Sequence, residues 1–306
     1  MKTNYLKIFT ALALFGFVFA SCNGDEPSRG TTSHLKTGQV EVIFQPQSSD
    51  YWDRTFGFGA MARTITIDWG DGTIQEFRPN GHFDFFSHQF QTGYVYTILI
   101  STDELTVLWI NGDELRINNA PSLISLQARD FTTFEITRAD ALRYLSLSFL
   151  PYRQQTLNTS RFLALEYLEI AGGHQTSLDL SRNTALRGLY VEGATALDVS
   201  NNIALRYLTT GEGGSLTSLD VSNNTALRML DVRNNQLTAL DVSNNTKLES
   251  LDVSNNQLTA QALNALFESL PPFSGSSGAP GIFIWNNPGA DTADRSIAEN
   301  KGWTVH

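Results

Sequence analysis

Between residues 219 and 245 the chain writes one phrase three times: Leu219-Asp220-Val221, Leu230-Asp231-Val232 and Leu240-Asp241-Val242, each followed by an asparagine pair. A self-similar period constrains the fold more than any other feature, because one short unit cannot bury its own leucines. Stacked units bury them together in a continuous core.

Alignment of the period gives two apolar rows. The first, Leu-x-x-Leu-x-apolar, begins at Leu105, Leu123, Leu142, Leu165, Leu186, Leu205, Leu227 and Leu248, in steps of 18, 19, 23, 21, 19, 22 and 21 residues. The second is sharp at Leu178, Leu197, Leu219 and Leu240 and degenerate at Leu115, Phe134 and Leu157. From each second-row residue to the next first row is always eight residues (115→123 through 240→248), whereas the return varies from 7 to 12. One constant and one variable arc per turn predict a solenoid, since surface loops tolerate insertions and fixed corners do not. Leu and Val at spacing two point to one side of an extended segment. The asparagines five residues after a leucine (Asn202, Asn224, Asn235, Asn245 and Asn256) then fall at corners. There an amide can satisfy backbone groups of adjacent turns and tolerates left-handed backbone.

The stretch LTALDVSNNTKLESLDVSNNQLT, residues 237–259, resembles the leucine-rich repeats of Bacteroidetes surface proteins. The resemblance is close over 176–260 and looser over 105–175. It implies a solenoid over 105–258 and an α/β C-terminal cap over 259–306. The residues agree with such a cap: Leu263, Leu266, Phe267 and Leu270 share one helical face, and Pro271-Pro272 ends it. A strand is expected at 282–285, a helix over 291–300 capped by Asp291 or Thr292, and a closing strand at 303–305. Their apolar residues are read as a plug for the last turn.

Residues 38–104 have another texture. Val40–Phe44, Thr64–Asp68 and Tyr94–Ile100 alternate as strands do. Between them Asp71-Gly72 is a hairpin signal. The run Asp68-Trp69-Gly70-Asp71-Gly72-Thr73, with the aromatic strand after Gly93, resembles the PKD-type immunoglobulin-like β-sandwich. The expected fold is therefore a β-rich repeat protein: a PKD-like β-sandwich, a leucine-rich-repeat solenoid and an α/β cap.

The first residues are read as a leader. A short basic segment ending at Lys7 precedes an apolar stretch of thirteen residues, Ile8 to Ala20. That run is too short to span a bilayer, which takes about 20 residues, and it suits a signal peptide. Ala20-Ser21-Cys22 resembles the bacterial lipoprotein signal, which implies cleavage after residue 21 and a lipid on Cys22. Cys22 is the chain's single cysteine, so it has no internal disulfide partner. Residues 22–37 read as a flexible tether, and Asp25-Glu26 resembles a surface-export signal. Localisation is expected at the outer membrane, exposed on the cell surface.

Composition narrows the function. With 21 basic against 31 acidic residues, the chain lacks the basic footprint of a nucleic-acid binder. No phosphate loop or nucleophile motif is present, so no catalysis and no cofactor are expected. The five histidines are scattered, with His82 and His88 six apart, and neither is at zinc spacing. Turn geometry accounts for Asp68 and Asp71; oxygen ligation of calcium is the alternative, and no metal is assigned. Asp220, Asp231, Asp241 and Asp252 repeat with the coil and are read as ladder positions. The surface that the pattern leaves open is the first-row strand face. Its two outward columns read Val107, Ser125, Tyr144, Tyr167, Gly188, Tyr207, Met229, Ser250 and Trp109, Gln127, Ser146, Glu169, Tyr190, Thr209, Asp231, Asp252. Trp109, Tyr144, Tyr167, Tyr190, Tyr207 and Met229 are the candidate ligand-binding residues. With turns about 4.8 Å apart, Tyr144 and Tyr167 should touch. Tyrosine suits binding surfaces, and cross-strand stacking that only stabilises the sheet is the other reading. The expected function is non-catalytic recognition or adhesion with an extracellular protein as partner; the alternative is a glycan-binding surface protein of a polysaccharide-uptake system.

Overall fold

Alternation in the N-terminal module produces strands with one buried face, as in Thr64–Asp68, where Ile65 and Ile67 point inward. The computed structural model describes residues 38–44, 55–79, 81–91, 94–111, 114–131, 133–149, 157–172, 178–211, 213–273 and 279–306. All belong to one compact unit, residues 37–306. The expected leader, Cys22 and the tether lie outside the described residues. Strands β1 (Gly38–Phe44), β3 (Thr64–Asp68), β4 (Ile74–Phe77) and β6 (Tyr96–Asp103) form one layer in the order β1-β6-β3-β4. Strands β2 (Thr55–Met61) and β5 (Phe83–Gln89) form the other. Between the layers lie Val40, Val42, Phe58, Trp69, Phe86, Ile98 and Ile100. The β3–β4 turn shows why its residues are needed. Asp68 Oδ1 accepts from Gly70 N and Asp71 Oδ1 from Thr73 N, both at 2.9 Å. Gly70 adopts φ +78°, and a Cβ there would sit 2.4 Å from the Thr97 carbonyl oxygen; only glycine fits.

Neither layer ends at residue 104. β7 (Val107–Asn111) pairs antiparallel with β2, and β8 (Glu114–Ile117) pairs antiparallel with β1. Both sheets therefore run from the N-terminal module into the repeats. From β7 onward the first-row strands stack in parallel: β9 (Ser125–Phe131), β11 (Tyr144–Phe149), β12 (Tyr167–Ala171), β13 (Gly188–Val191), β14 (Tyr207–Thr209), β15 (Met229–Asp231) and β16 (Ser250–Asp252), with β10 (Thr133–Ile136) pairing with β8 in the second sheet. The register aligns Leu108, Leu126, Leu145, Leu168, Leu189, Leu208, Leu230 and Leu251 across successive strands. These leucines, and those opening each row, are buried. Full burial of one such side chain contributes about 1.5–3 kcal/mol.

The second row changes character along the coil. Its corner residue is Ala120 after β8 and Ala139 after β10. There the turns pair backbone to backbone, Ala120 N donating to Arg138 O at 3.0 Å. From Asn183 onward a side chain bridges instead. Asn183, Asn202, Asn224 and Asn245 each donate Nδ2 to two carbonyls of the preceding turn, at 2.9–3.2 Å, and this second row forms no strand. Asn235, Asn256 and Asn287 form a separate ladder at the other corner, where each Oδ1 accepts a backbone N–H of the preceding turn, from Leu216, Leu237 and Leu258. The asparagines expected as one class are thus two, and Asn183 and Asn287 complete them. The repeated aspartates make Asx turns: Asp179, Asp198, Asp220 and Asp241 accept from the amide two residues on, at 2.8–3.0 Å.

At the C-terminal end Thr259 caps helix α1 (Ala260–Ser269), which buries Leu263, Leu266 and Phe267. Strands β17 (Gly281–Phe283) and β18 (Thr304–Val305) extend the large sheet to twelve strands. The helix expected over 291–300 is shorter. Turns occupy 288–292, Asp294 Oδ1 accepts from Ser296 N, and only α2 (Ser296–Glu299) is helical. An Asx turn at Asp294 sets the start, not a cap at Asp291 or Thr292.

Candidate functional site

Because the large sheet is continuous, its outer face carries side-chain rows across all twelve strands. One runs Phe83, Met61, Val107, Ser125, Tyr144, Tyr167, Gly188, Tyr207, Met229, Ser250. The row beside it runs Phe85, Gly59, Trp109, Gln127, Ser146, Glu169, Tyr190, Thr209, Asp231, Asp252 and Phe283. The rows reach beyond the repeats into β2 and β5, which separate treatment of residues 38–104 did not anticipate. The signal was present in Thr55-Phe-Gly-Phe-Gly-Ala-Met61: glycine alternating with phenylalanine marks a strand bare on one face.

Tyr144 and Tyr167 stack with ring centroids 5.2 Å apart and planes 4° from parallel. Burial, then the carboxylate of Glu166, raises the Tyr144 hydroxyl above its ordinary value. Tyr167 is raised likewise by burial, then by Tyr144 and Tyr207. Gly188 separates Tyr167 from Tyr207, so the tyrosines frame a gap one side chain wide. Tyr207 and Met229 are half-buried neighbours in the same row. Alongside runs a charge ladder: Glu166 takes Arg143 at 3.0 Å and Arg187 at 3.6 Å, and Arg228 meets Glu249 at 2.7 Å. Such exposed pairs contribute little stability and leave a polar border of mixed sign.

The second row is less open than its sequence suggests. Tyr190 donates its hydroxyl to Glu192, which also accepts from Gly172 N at 2.7 Å. Burial raises the Glu169 carboxyl, a shift that the Ser146 hydrogen bond and Arg129 reduce without cancelling. Toward the C-terminal end Thr209, Asp231 and Asp252 are buried, Asp231 only 3% exposed. Arg233 lies over both carboxylates, 2.5 Å from Asp231 and 3.8 Å from Asp252. Burial, then Asp252, raises the Asp231 carboxyl despite Arg233. The open part of the face therefore runs from Trp109 to Met229.

At the β3–β4 turn, His88 Nε2 donates to Asp71 Oδ2 at 2.7 Å, and the imidazole stacks on Trp69 at 4.9 Å. Burial raises the Asp71 carboxyl, but the hydrogen bonds from His88 and Thr73 outweigh it and hold it below its ordinary value. Asp68 and Asp71 spend an oxygen each on turn amides. Among the described residues no group of three or more His, Cys, Asp or Glu is placed to hold a metal. Nor is any helix there long and apolar enough to cross a membrane.

Residues 225–266 match the family described as Leucine Rich repeats (2 copies). No curated protein matches the chain. Solved structures that resemble it include the functional domain of InlJ from Listeria monocytogenes, at 24% identity and TM-score 0.47 over 71% of this chain and 51% of that one. The leucine-rich-repeat protein LIC12759 of Leptospira interrogans is similar at 15% identity and TM-score 0.44, over 61% and 60%. The internalin InlF of Listeria monocytogenes is similar at 17% and TM-score 0.32, over 65% and 86%. The chain thus spans about half of the first of these and three-fifths of the second. The match over 225–266, with the leucine spine and the asparagine ladders around it, identifies leucine-rich repeats in this chain.

Proposed function

We propose that the protein is a non-catalytic recognition protein of the cell surface, binding an extracellular protein through the face between Trp109 and Met229, in adhesion or host recognition. The observation that carries this is the Tyr144–Tyr167 stack, with Tyr207 beyond the Gly188 gap. Rigid amphipathic rings offer large contact area at low entropy cost, and the mixed-sign border suits a protein partner. Leucine-rich-repeat proteins typically mediate protein–protein interaction, which supports the reading. A lipid on Cys22, tethered by residues 22–37, would hold the molecule at the outer membrane as in Bacteroidetes surface lipoproteins. Residues 38–104 would then act as a PKD-like module between tether and repeats, with 105–258 as the recognition solenoid and 259–306 as its cap.

The test is a pull-down of the full chain against a host extracellular-matrix extract, wild type beside Tyr144→Ala/Tyr167→Ala/Tyr207→Ala. Loss of at least tenfold of the captured protein, with an unchanged circular-dichroism melt, is expected. A folded triple variant that captures as much as wild type refutes the assignment of the face. Labelling with a palmitate analogue tests the anchor, and label persisting in Cys22→Ser contradicts it.

A further inference from the structure

Two glycines, Gly57 and Gly59, stand on the outer face of β2. Gly59 is flanked by Phe85 on one side and Trp109 on the other, and Gly57 faces Ser87. The Phe83 ring lies over Gly59, its Cζ 2.4 Å from where a Cβ would stand, so the open basin, of about 360 Å³, has its bare floor at Gly57. Phe85 and Trp109 stand two strand spacings apart, roughly 9.6 Å, with the Phe83 ring between them, so the three rings form one aromatic wall. Phe85 is 74% exposed. Phe83 packs edge-on against both Phe85 and Trp109 at 5.1 Å. The remaining rim is polar: Asn111, Gln127 and Arg129.

An aromatic wall, a bare floor and a planar polar rim suit a narrow class of ligand. A pyranose ring has an apolar face of C–H bonds that lies on an aromatic ring and a belt of hydroxyls that pair with side-chain amides. Arg129 sets the sign of the ligand. It has no ion-pair partner among the described residues, and its charge is felt at Glu169. A guanidinium fork reads a carboxylate in two parallel hydrogen bonds. We propose that the basin is a subsite for the uronate residue of an acidic polysaccharide. This goes beyond the protein-recognition reading and does not rest on it.

The experiment titrates the full chain with a hexagalacturonate oligomer by calorimetry and saturation-transfer NMR. Cellohexaose is the neutral control, and an acidic peptide containing phenylalanine is the competing class. Hexagalacturonate is expected to bind and cellohexaose to bind at least tenfold more weakly. Arg129→Ala and Trp109→Ala should each weaken binding tenfold or more, and Gly57→Val should abolish it by filling the floor. Thermal melts show that each variant is folded, and Phe85→Ala, a surface truncation, provides a second readout should Gly57→Val fail to fold. Phe85→Ala should lose hexagalacturonate and keep the matrix pull-down, which separates failure here from failure of the face. The proposal is overturned if hexagalacturonate does not bind, if cellohexaose binds equally, if the peptide occupies the basin in its place, or if folded basin variants bind like wild type.

Discussion

Asn224 and Asn256 look alike in the sequence and are bonded differently, which gives a quantitative prediction. Asn224 donates Nδ2 to Val199 O and Asn202 O at 3.0 Å, and its Oδ1 is buried with no partner among the described residues. Both carbonyls keep a backbone donor, Asn202 N and Leu205 N, when the side chain is removed. Asn224→Ala therefore loses two hydrogen bonds of about 1 kcal/mol each and releases an unpaired oxygen whose burial costs about 1–3 kcal/mol. The net cost is about −1 to 1 kcal/mol. Asn256 donates to Val232 O at 2.9 Å and Val253 O at 3.0 Å, and its Oδ1 accepts from Leu237 N at 2.9 Å. Asn256→Ala loses the two donated bonds and leaves the Leu237 N–H stranded in the interior, an added penalty of about 1–3 kcal/mol with no compensating release, for a total of about 3–5 kcal/mol. The cavity left is the same size in both variants and cancels in the comparison. Urea unfolding of the two variants measures the difference, and amide exchange at Leu237 localises it, since repeat arrays open locally. Asn256→Ala should be worse by about 2–6 kcal/mol, with Leu237 exchanging faster. Equal costs, or the reverse order, would refute the two-ladder account.

Two further predictions follow from the titratable groups. Tyr167 is held above its ordinary value by burial and by Tyr144 and Tyr207, so absorbance at alkaline pH should show it ionising after the exposed tyrosines, and Tyr144→Phe should bring it earlier. A raised folded value gives stability that is present in full below about pH 10 and lost as pH rises further; a melt that does not weaken there contradicts it. Asp231, raised by burial and Asp252, contributes stability below about pH 3.9 that is lost as pH rises through its folded value. Asp231→Asn should flatten that decline and leave the melting temperature at pH 7 equal or higher. A large drop would mean that the Arg233 pair outweighs the desolvation of the carboxylate.

How much could be read from the sequence depends on where the determining interaction lies. The eight-residue constant arc fixed the leucine register, because each turn repeats the same local geometry, and Tyr144 and Tyr167 met as their spacing required. The division of asparagines into two ladders was hidden, because Asn224 and Asn235 stand in similar words and differ only in which corner of the coil they occupy and which backbone groups they bond there. Burial of Asp231 was hidden because Arg233 lies over it, and a period gives side-chain direction without saying what covers it. The basin escaped notice because its floor is an absent side chain, and its wall residues, Phe85 and Trp109, come from strands 24 residues apart in the sequence.

Site-specific photocross-linking tests the recognition face most directly. Benzoylphenylalanine is placed at Tyr207 on the strand face and, separately, at Ile203, an exposed residue on the arc outside it. Each chain is irradiated with the matrix protein that the wild type captures. Cross-links from position 207 and none from 203 are expected. Cross-links from 203 with none from 207 would place the partner on the wrong side of the coil and contradict the account.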